Sequence, residues 1–122
     1  METCYKILLM MKRKPGMSLD AFKRYYEKQH VPLCTKYAQN IDRYIRRYIT
    51  PQDHPETGPA QELDFDVITE LWFSNKRIFD AALKHITTQI QPDEIITDEK
   101  NLFDRGSFRI ATVAEFEGLN SG

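Results

Sequence analysis

The sequence predicts an α+β domain in which a four-stranded antiparallel sheet carries two helices on one face. The element order along the chain is β-α-β-β-α-β. Three observations predict it. Residues 41–50 and 65–73 alternate with period two, as half-buried strands do. Residues 19–30 and 78–90 instead carry apolar side chains at helical spacing. Proline and glycine break the chain between these stretches. The 122 residues make one domain, 1–122 with a core over about 5–116.

Residues 5–11 are apolar except Lys6 and end at the Pro15-Gly16 turn, which reads as a central strand. Ser18 is placed to cap the first helix, and Asp20 suits the positive end of its dipole. Leu19, Phe22, Tyr26 and Gln29 share a stripe that Tyr25 widens; the helix is expected to reach His30 and loosen at Pro32. In 41–50, Ile41, Arg43, Ile45, Arg47 and Ile49 point one way, and Asp42, Tyr44, Arg46, Tyr48 and Thr50 the other. Residues 51–64 hold three prolines and one glycine without periodicity; so long a loop is often a lid or binding loop. In 65–73, Phe65, Val67, Thr69, Leu71 and Phe73 oppose Asp66, Ile68, Glu70 and Trp72. Ser74 can cap a second helix built on Ile78, Phe79, Ala82, Leu83, Ile86 and Ile90 and ended by Pro92. Residues 93–103 read as a short acidic helix broken by Gly106, and 108–116 as the last strand.

Composition excludes several classes. Charged residues are 29% and hydrophobic ones 41%, with seven Phe, six Tyr and one Trp, so neither a disordered tail nor a coiled coil fits. The net charge of −1 is unlike that of a general nucleic-acid binder. Cys4 and Cys34 form no CxxC, which points to partly buried free thiols in a reducing cytoplasm rather than a disulfide framework or zinc site. The apolar run 7–11 is too short for a signal peptide, and its positive charges follow it; nothing approaches a membrane span. Three scattered histidines lack metal-ligand spacing, and there is no GxGxxG or P-loop, so neither metal nor cofactor is expected.

The predicted sheet leaves one face bare, which a second copy, a ligand or RNA would have to cover. The order is shared with RNA-recognition modules, but the third strand carries Asp66 and Glu70 where a basic-Gly-aromatic pattern would stand. A non-catalytic domain dimerising sheet to sheet, and an enzyme with its site between sheet and helices, both fit. The stretch Lys12-Arg-Lys-Pro-Gly-Met-Ser18, with Phe22, Tyr25-Tyr26 and His30-Val-Pro-Leu33, resembles the opening motif of the EthD-like family. Asp66-Val-Ile-Thr-Glu-Leu-Trp-Phe73 resembles that family's third strand, and Phe103-Asp-Arg105 resembles fungal members of aromatic polyketide pathways, including decarboxylases of anthraquinone precursors. The resemblance implies a ferredoxin-like fold, a homodimeric α+β barrel, and a pocket in each subunit for a small hydrophobic aromatic substrate. It implies a cofactor-independent lyase, a decarboxylase or dehydratase, or else a cyclase or lactone isomerase.

His30 is the first catalytic candidate. Its imidazole titrates near neutral pH, a helix C-terminus stabilises its cation, and the family keeps a histidine at the pocket; the plainer reading is a capping histidine. Tyr44 can donate to a developing enolate, or be a core aromatic. Tyr44 and His54 align with a tyrosine and a loop histidine of the family's lactone isomerases, but Leu71 stands where their cysteine would be. For substrate binding, Arg46 could fork a carboxylate, with Tyr48 beside it. Glu70 is either paired with Arg47 or poised as an acid. Trp72 and Phe22 are candidate walls, and His85 is either a boundary residue or a contact. Asp104-Arg105 could gate the pocket or be a solvated pair.

Overall fold

The computed structural model describes residues 4–119. Four strands, β1 (Tyr5–Arg13), β2 (Arg43–Tyr48), β3 (Val67–Phe73) and β4 (Phe103–Thr112), form one sheet in the order β2-β3-β1-β4. Every neighbouring pair is antiparallel. With helices on one face, this is the ferredoxin-like fold. The pleat sorts the residues. Ile7, Leu9 and Met11 of β1, Tyr44, Arg46 and Tyr48 of β2, Val67, Thr69, Leu71 and Phe73 of β3, and Phe108 and Ile110 of β4 face the helices. Lys6, Leu8, Met10, Arg43, Ile45, Arg47, Ile68, Glu70, Trp72 and Arg109 face the other way.

The first helical segment departs from expectation. α1 (Leu19–Tyr25), capped by Ser18 Oγ accepting from the Ala21 N–H, runs into a π-helical turn, Tyr26–His30, and then into α2 (Val31–Tyr37). Pro32 does not end the helix. The π turn resets the register just before it, so Pro32 lies in the first turn of α2, where no donor is required of it. The extra residue also buries His30 and leaves Gln29 exposed, reversing the predicted stripe.

α3 (Lys76–Thr88) is capped by Asn75, whose side chain accepts from the Ile78 N–H, rather than by Ser74. α4 (Asp93–Lys100) is shorter than predicted, and β4 begins earlier, at Phe103. Gly106 does not break an element; it lies within β4 at an irregularity where the register shifts between Met10 and Lys12. There Ser107 Oγ accepts from the Lys12 N–H and donates to the Asp104 carbonyl. Phe116, expected on the last strand, lies beyond it and is exposed.

Two apolar clusters fill the helix-covered face. One, under α1 and the π turn, joins Met11, Phe22, Tyr26, Val67, Leu102 and Phe103. The other, under α3, has Ile7, Leu71 and Phe73 at its centre with half-buried Tyr44, Phe79, Ala82 and Ile86 around them. The 51–64 loop turns back at a His54–Gly58 bridge and is tied to β1 by Lys12, which pairs with Glu62 at 2.9 Å. Among the described residues no helix is long and apolar enough to cross a membrane.

Candidate functional site

A cavity of about 460 Å³ opens between the sheet and α2, α3 and α4. The sheet supplies Leu9, Tyr44, Leu71, Phe73 and Phe108 as its floor. α2 gives Cys34 and Tyr37, α3 gives Ala82, His85 and Ile86, and α4 gives Ile95 and Glu99. Gln39 and Gln91 add polar groups. A largely apolar wall with a few convergent polar groups, at this volume, is the ordinary character of a small-molecule site.

Behind the Cys34 wall lies a buried polar chain. His30, 4% exposed, places Nδ1 2.7 Å from Asp98 Oδ2, while Asp98 Oδ1 accepts from the Tyr25 hydroxyl at 2.8 Å. His30 Nε2 lies 3.3 Å from Cys34 Sγ. The His30 ring packs edge-on against Tyr26 and Phe103. Burial holds the imidazole's proton affinity below its ordinary value, although the Asp98 carboxylate pulls the other way. His30 is thus mid-helix and bonded to a carboxylate, not stabilised by a helix C-terminus as its sequence position suggested.

Burial likewise pushes the Tyr44 phenol well up, and the Cys34 thiol up to about 12, with Glu99 and Asp98 adding to the effect on Cys34. Both are protonated and able to donate. Burial also raises Glu99, against the pull of Arg105, whose Nε lies 3.3 Å away.

The residues singled out in the sequence separate into three places. Tyr44 and His85 line the cavity, and His30 stands one side chain behind it. Phe22, Arg46 and Tyr48 face the same side of the sheet but belong to its packed end. Phe22 is fully buried in the first cluster, and Glu27 takes both the Arg46 guanidinium, at 3.0 and 2.5 Å, and the Tyr48 hydroxyl, at 2.5 Å. Arg46 is therefore occupied in clasping helix to sheet and is not part of the cavity wall. Glu70 and Trp72 are on the opposite face, where Glu70 accepts from Arg47 and from Trp72 Nε1. The pleat that turns Leu71 inward turns them outward, so neither reaches the cavity. His54 is exposed in its loop, its Nδ1 accepting the Glu56 N–H, and is not part of the cavity wall.

Cys34, Asp98 and Glu99 were not among the residues singled out for chemistry. The available signal was spacing: Cys34 is four residues beyond His30, one helical turn on, once the helix is known to continue. Asp98 and Glu99 lie in the stretch that the sequence marks only as a short acidic helix. Cys4, expected to be partly buried, is exposed. Among the described residues no cluster of His, Cys, Asp and Glu has the arrangement of a metal site.

The model of the EthD domain matches residues 14–106. The chain belongs to the EthD domain family. Solved structures that it resembles agree in fold. An ethyl tert-butyl ether D (EthD) family protein from Bacillus halodurans is 17% identical, with 93% of this chain and 100% of that one covered and a TM-score of 0.55. An EthD-like protein from Ralstonia eutropha is 18% identical, covering 91% and 92%, with a TM-score of 0.53. A hypothetical Arabidopsis thaliana protein, 12% identical over 93% and 89%, gives a TM-score of 0.54. No curated protein matches the sequence.

Proposed function

We propose that this EthD domain is a cofactor-independent enzyme that decarboxylates a hydrophobic aromatic or β-keto acid of polyketide type. One observation carries the reading: a buried His30–Asp98 pair, 2.7 Å apart, stands behind an apolar cavity whose floor presents the Tyr44 phenol. His30, neutral at pH 7, accepts the proton of the acid. CO2 leaves and its bonding electrons remain as an enolate. Tyr44 donates a hydrogen bond to the enolate oxygen, and His30 returns the proton to carbon. A side-chain movement of Cys34 admits His30 to the ligand. His85 and Gln91 hold the carboxylate. Dehydration, cyclisation and lactone isomerisation pass through related enolates and remain the alternatives within this reading.

The bare sheet face supports a homodimer. Leu8, Met10, Ile45 and Ile68 form an apolar strip on it, flanked by Lys6, Arg43, Arg47 and Arg109. A stable interface should exceed about 1,000 Å² in total. A monodisperse monomer at micromolar concentration in light scattering would remove the barrel. On this reading the protein works in a reducing cytoplasm and takes no nucleic-acid partner.

Incubating purified protein with fresh aromatic β-keto acids and following mass tests the chemistry. Enzyme-dependent loss of CO2 is expected, and His30→Gln should lower it by about 10²–10⁴-fold with the fold kept by circular dichroism. Loss of water or a new isomer moves the chemistry to the alternatives. No turnover, with saturable ligand binding, makes the domain a binding module.

A further inference from the structure

The cavity wall carries a single carboxyl group and neither lysine nor arginine. The carboxyl is that of Glu99, on α4 one helical turn beyond Ile95, and its side chain is only 12% exposed. Arg105, which is not part of the wall, donates from Nε to Glu99 Oε1 at 3.3 Å. Among the described residues no hydrogen bond reaches Oε2. Nor is Oε2 sealed in, since no buried side-chain polar atom of the described residues lacks a partner. One carboxyl oxygen is thus accessible and unclaimed on an otherwise apolar wall.

A ligand that fills the cavity strips water from that oxygen. Unless the ligand brings a donor, the oxygen is left unpaired, and an unpaired buried acceptor costs more than a made hydrogen bond returns. A site of this kind rejects an analogue that lacks the donor. The donor it suits is neutral. Arg105 already supplies the charge opposite Glu99, and burial raises the carboxyl, so a second cation gains little. The apolar floor of Leu9, Leu71, Phe73 and Phe108 favours a flat ring as the carrier of that donor.

We propose that Glu99 is the specificity-determining residue of the cavity, accepting a hydrogen bond from a phenolic hydroxyl of the ligand, so that the site takes a hydroxylated aromatic ring and rejects its O-methylated counterpart. Glu99 and the Tyr44 hydroxyl both act on the Cys34 thiol, so acceptor and donor are gathered at one part of the wall. A ring bearing a hydroxyl and a carbonyl oxygen would meet both. The inference rests on the reading that the cavity holds an aromatic acid, and it adds which substituent the acid must carry.

The probes are 6-hydroxy-2-naphthoic acid and 6-methoxy-2-naphthoic acid, which share ring and carboxylate and differ in the donor. Calorimetry on the purified protein should give a Kd about 10–100-fold lower for the hydroxy acid. Glu99→Leu should remove most of that ratio, and Glu99→Gln, which keeps an accepting oxygen, should retain part of it, with both folds checked by circular dichroism. Equal affinities in the parent protein overturn the inference without recourse to any variant. A ratio undiminished in Glu99→Leu overturns it too, because another group then reads the hydroxyl. Tighter binding of 6-(aminomethyl)-2-naphthoic acid than of the phenol would make Glu99 a cation seat and also overturn it. Saturable binding of neither naphthoic acid overturns it together with the cavity reading. Hydroxyl discrimination without release of CO2 from any β-keto acid retires only the decarboxylase. Release of CO2 without discrimination retires only the role of Glu99.

Discussion

The helix-covered face of the sheet is solid at one end and hollow at the other. At the solid end Phe22, Tyr26, Met11, Val67, Leu102 and Phe103 are all buried, and Tyr26 donates to or accepts from Thr69 at 2.6 Å, so its hydroxyl is satisfied. At the hollow end α3 contributes no fully buried side chain, and its small Ala82 faces a cavity of about 460 Å³. The same sheet and the same helical hydrophobic spacing serve both. The difference is in what the helices put inward: α1 and the π turn bury the Phe22 and Tyr26 rings completely, whereas α3 offers a half-buried Phe79 with the smaller Ala82, Leu83 and Ile86. Stability resides in the first end and space for a ligand in the second, with the His30–Asp98 pair on the border, touching Phe103 and Tyr26 on one side and Cys34 on the other.

The largest expected effect lies at the solid end. Phe22→Ala should cost about 3–5 kcal/mol in urea unfolding, the usual range for a buried aromatic truncated in a packed core. A loss below about 1 kcal/mol would mean that this end is loosely packed after all. Filling the hollow end should do the reverse. Ala82→Leu is expected to change stability by less than about 1.5 kcal/mol, because the added atoms enter existing space. It should nevertheless abolish saturable binding of an aromatic acid measured by calorimetry. Unchanged binding would place the ligand elsewhere.

The smallest effect is on pH dependence. His30 binds its proton less tightly in the fold than in the unfolded chain, because burial outweighs Asp98. The unfolded state therefore takes up more protons, and stability falls as pH drops below the ordinary histidine value near 6.5. Thermal melts of His30→Gln should show a flatter limb there than the parent protein. A parallel limb would assign the acid sensitivity to other groups.

Much of the fold was legible because it depends on alternation and spacing. Period two in 41–50 and 65–73 gave the right strands and the right inward set on β3, Val67, Thr69, Leu71 and Phe73. The first helix was misread at its end because Pro32 is ordinarily a stop signal, and a π turn leaves no periodic trace in so short a stretch. That one feature hid half of the candidate site. With the helix ended at His30, Cys34 fell in a loop and lost its relation to the imidazole. Asp98 was invisible for a different reason: a carboxylate becomes a histidine's partner only by tertiary contact, 68 residues away in the chain. Arg46 and Tyr48 were correctly placed on a face but not on a half of it, since alternation says which side a residue takes and not which neighbour awaits it.

The turn at Tyr26–His30 also acts as a phase shifter. One residue beyond the α repeat advances everything downstream by about 100° around the axis. The two flanking helices can therefore each keep good local geometry while presenting unrelated sides to the sheet: α1 its rings, α2 its sulfur. Deleting a single residue between Tyr26 and His30 would leave the helical content of the domain nearly intact and still rotate His30 and Cys34 together away from Asp98 and the cavity. In that respect the protein keeps the aim of its cavity wall in a count of residues rather than in any one side chain.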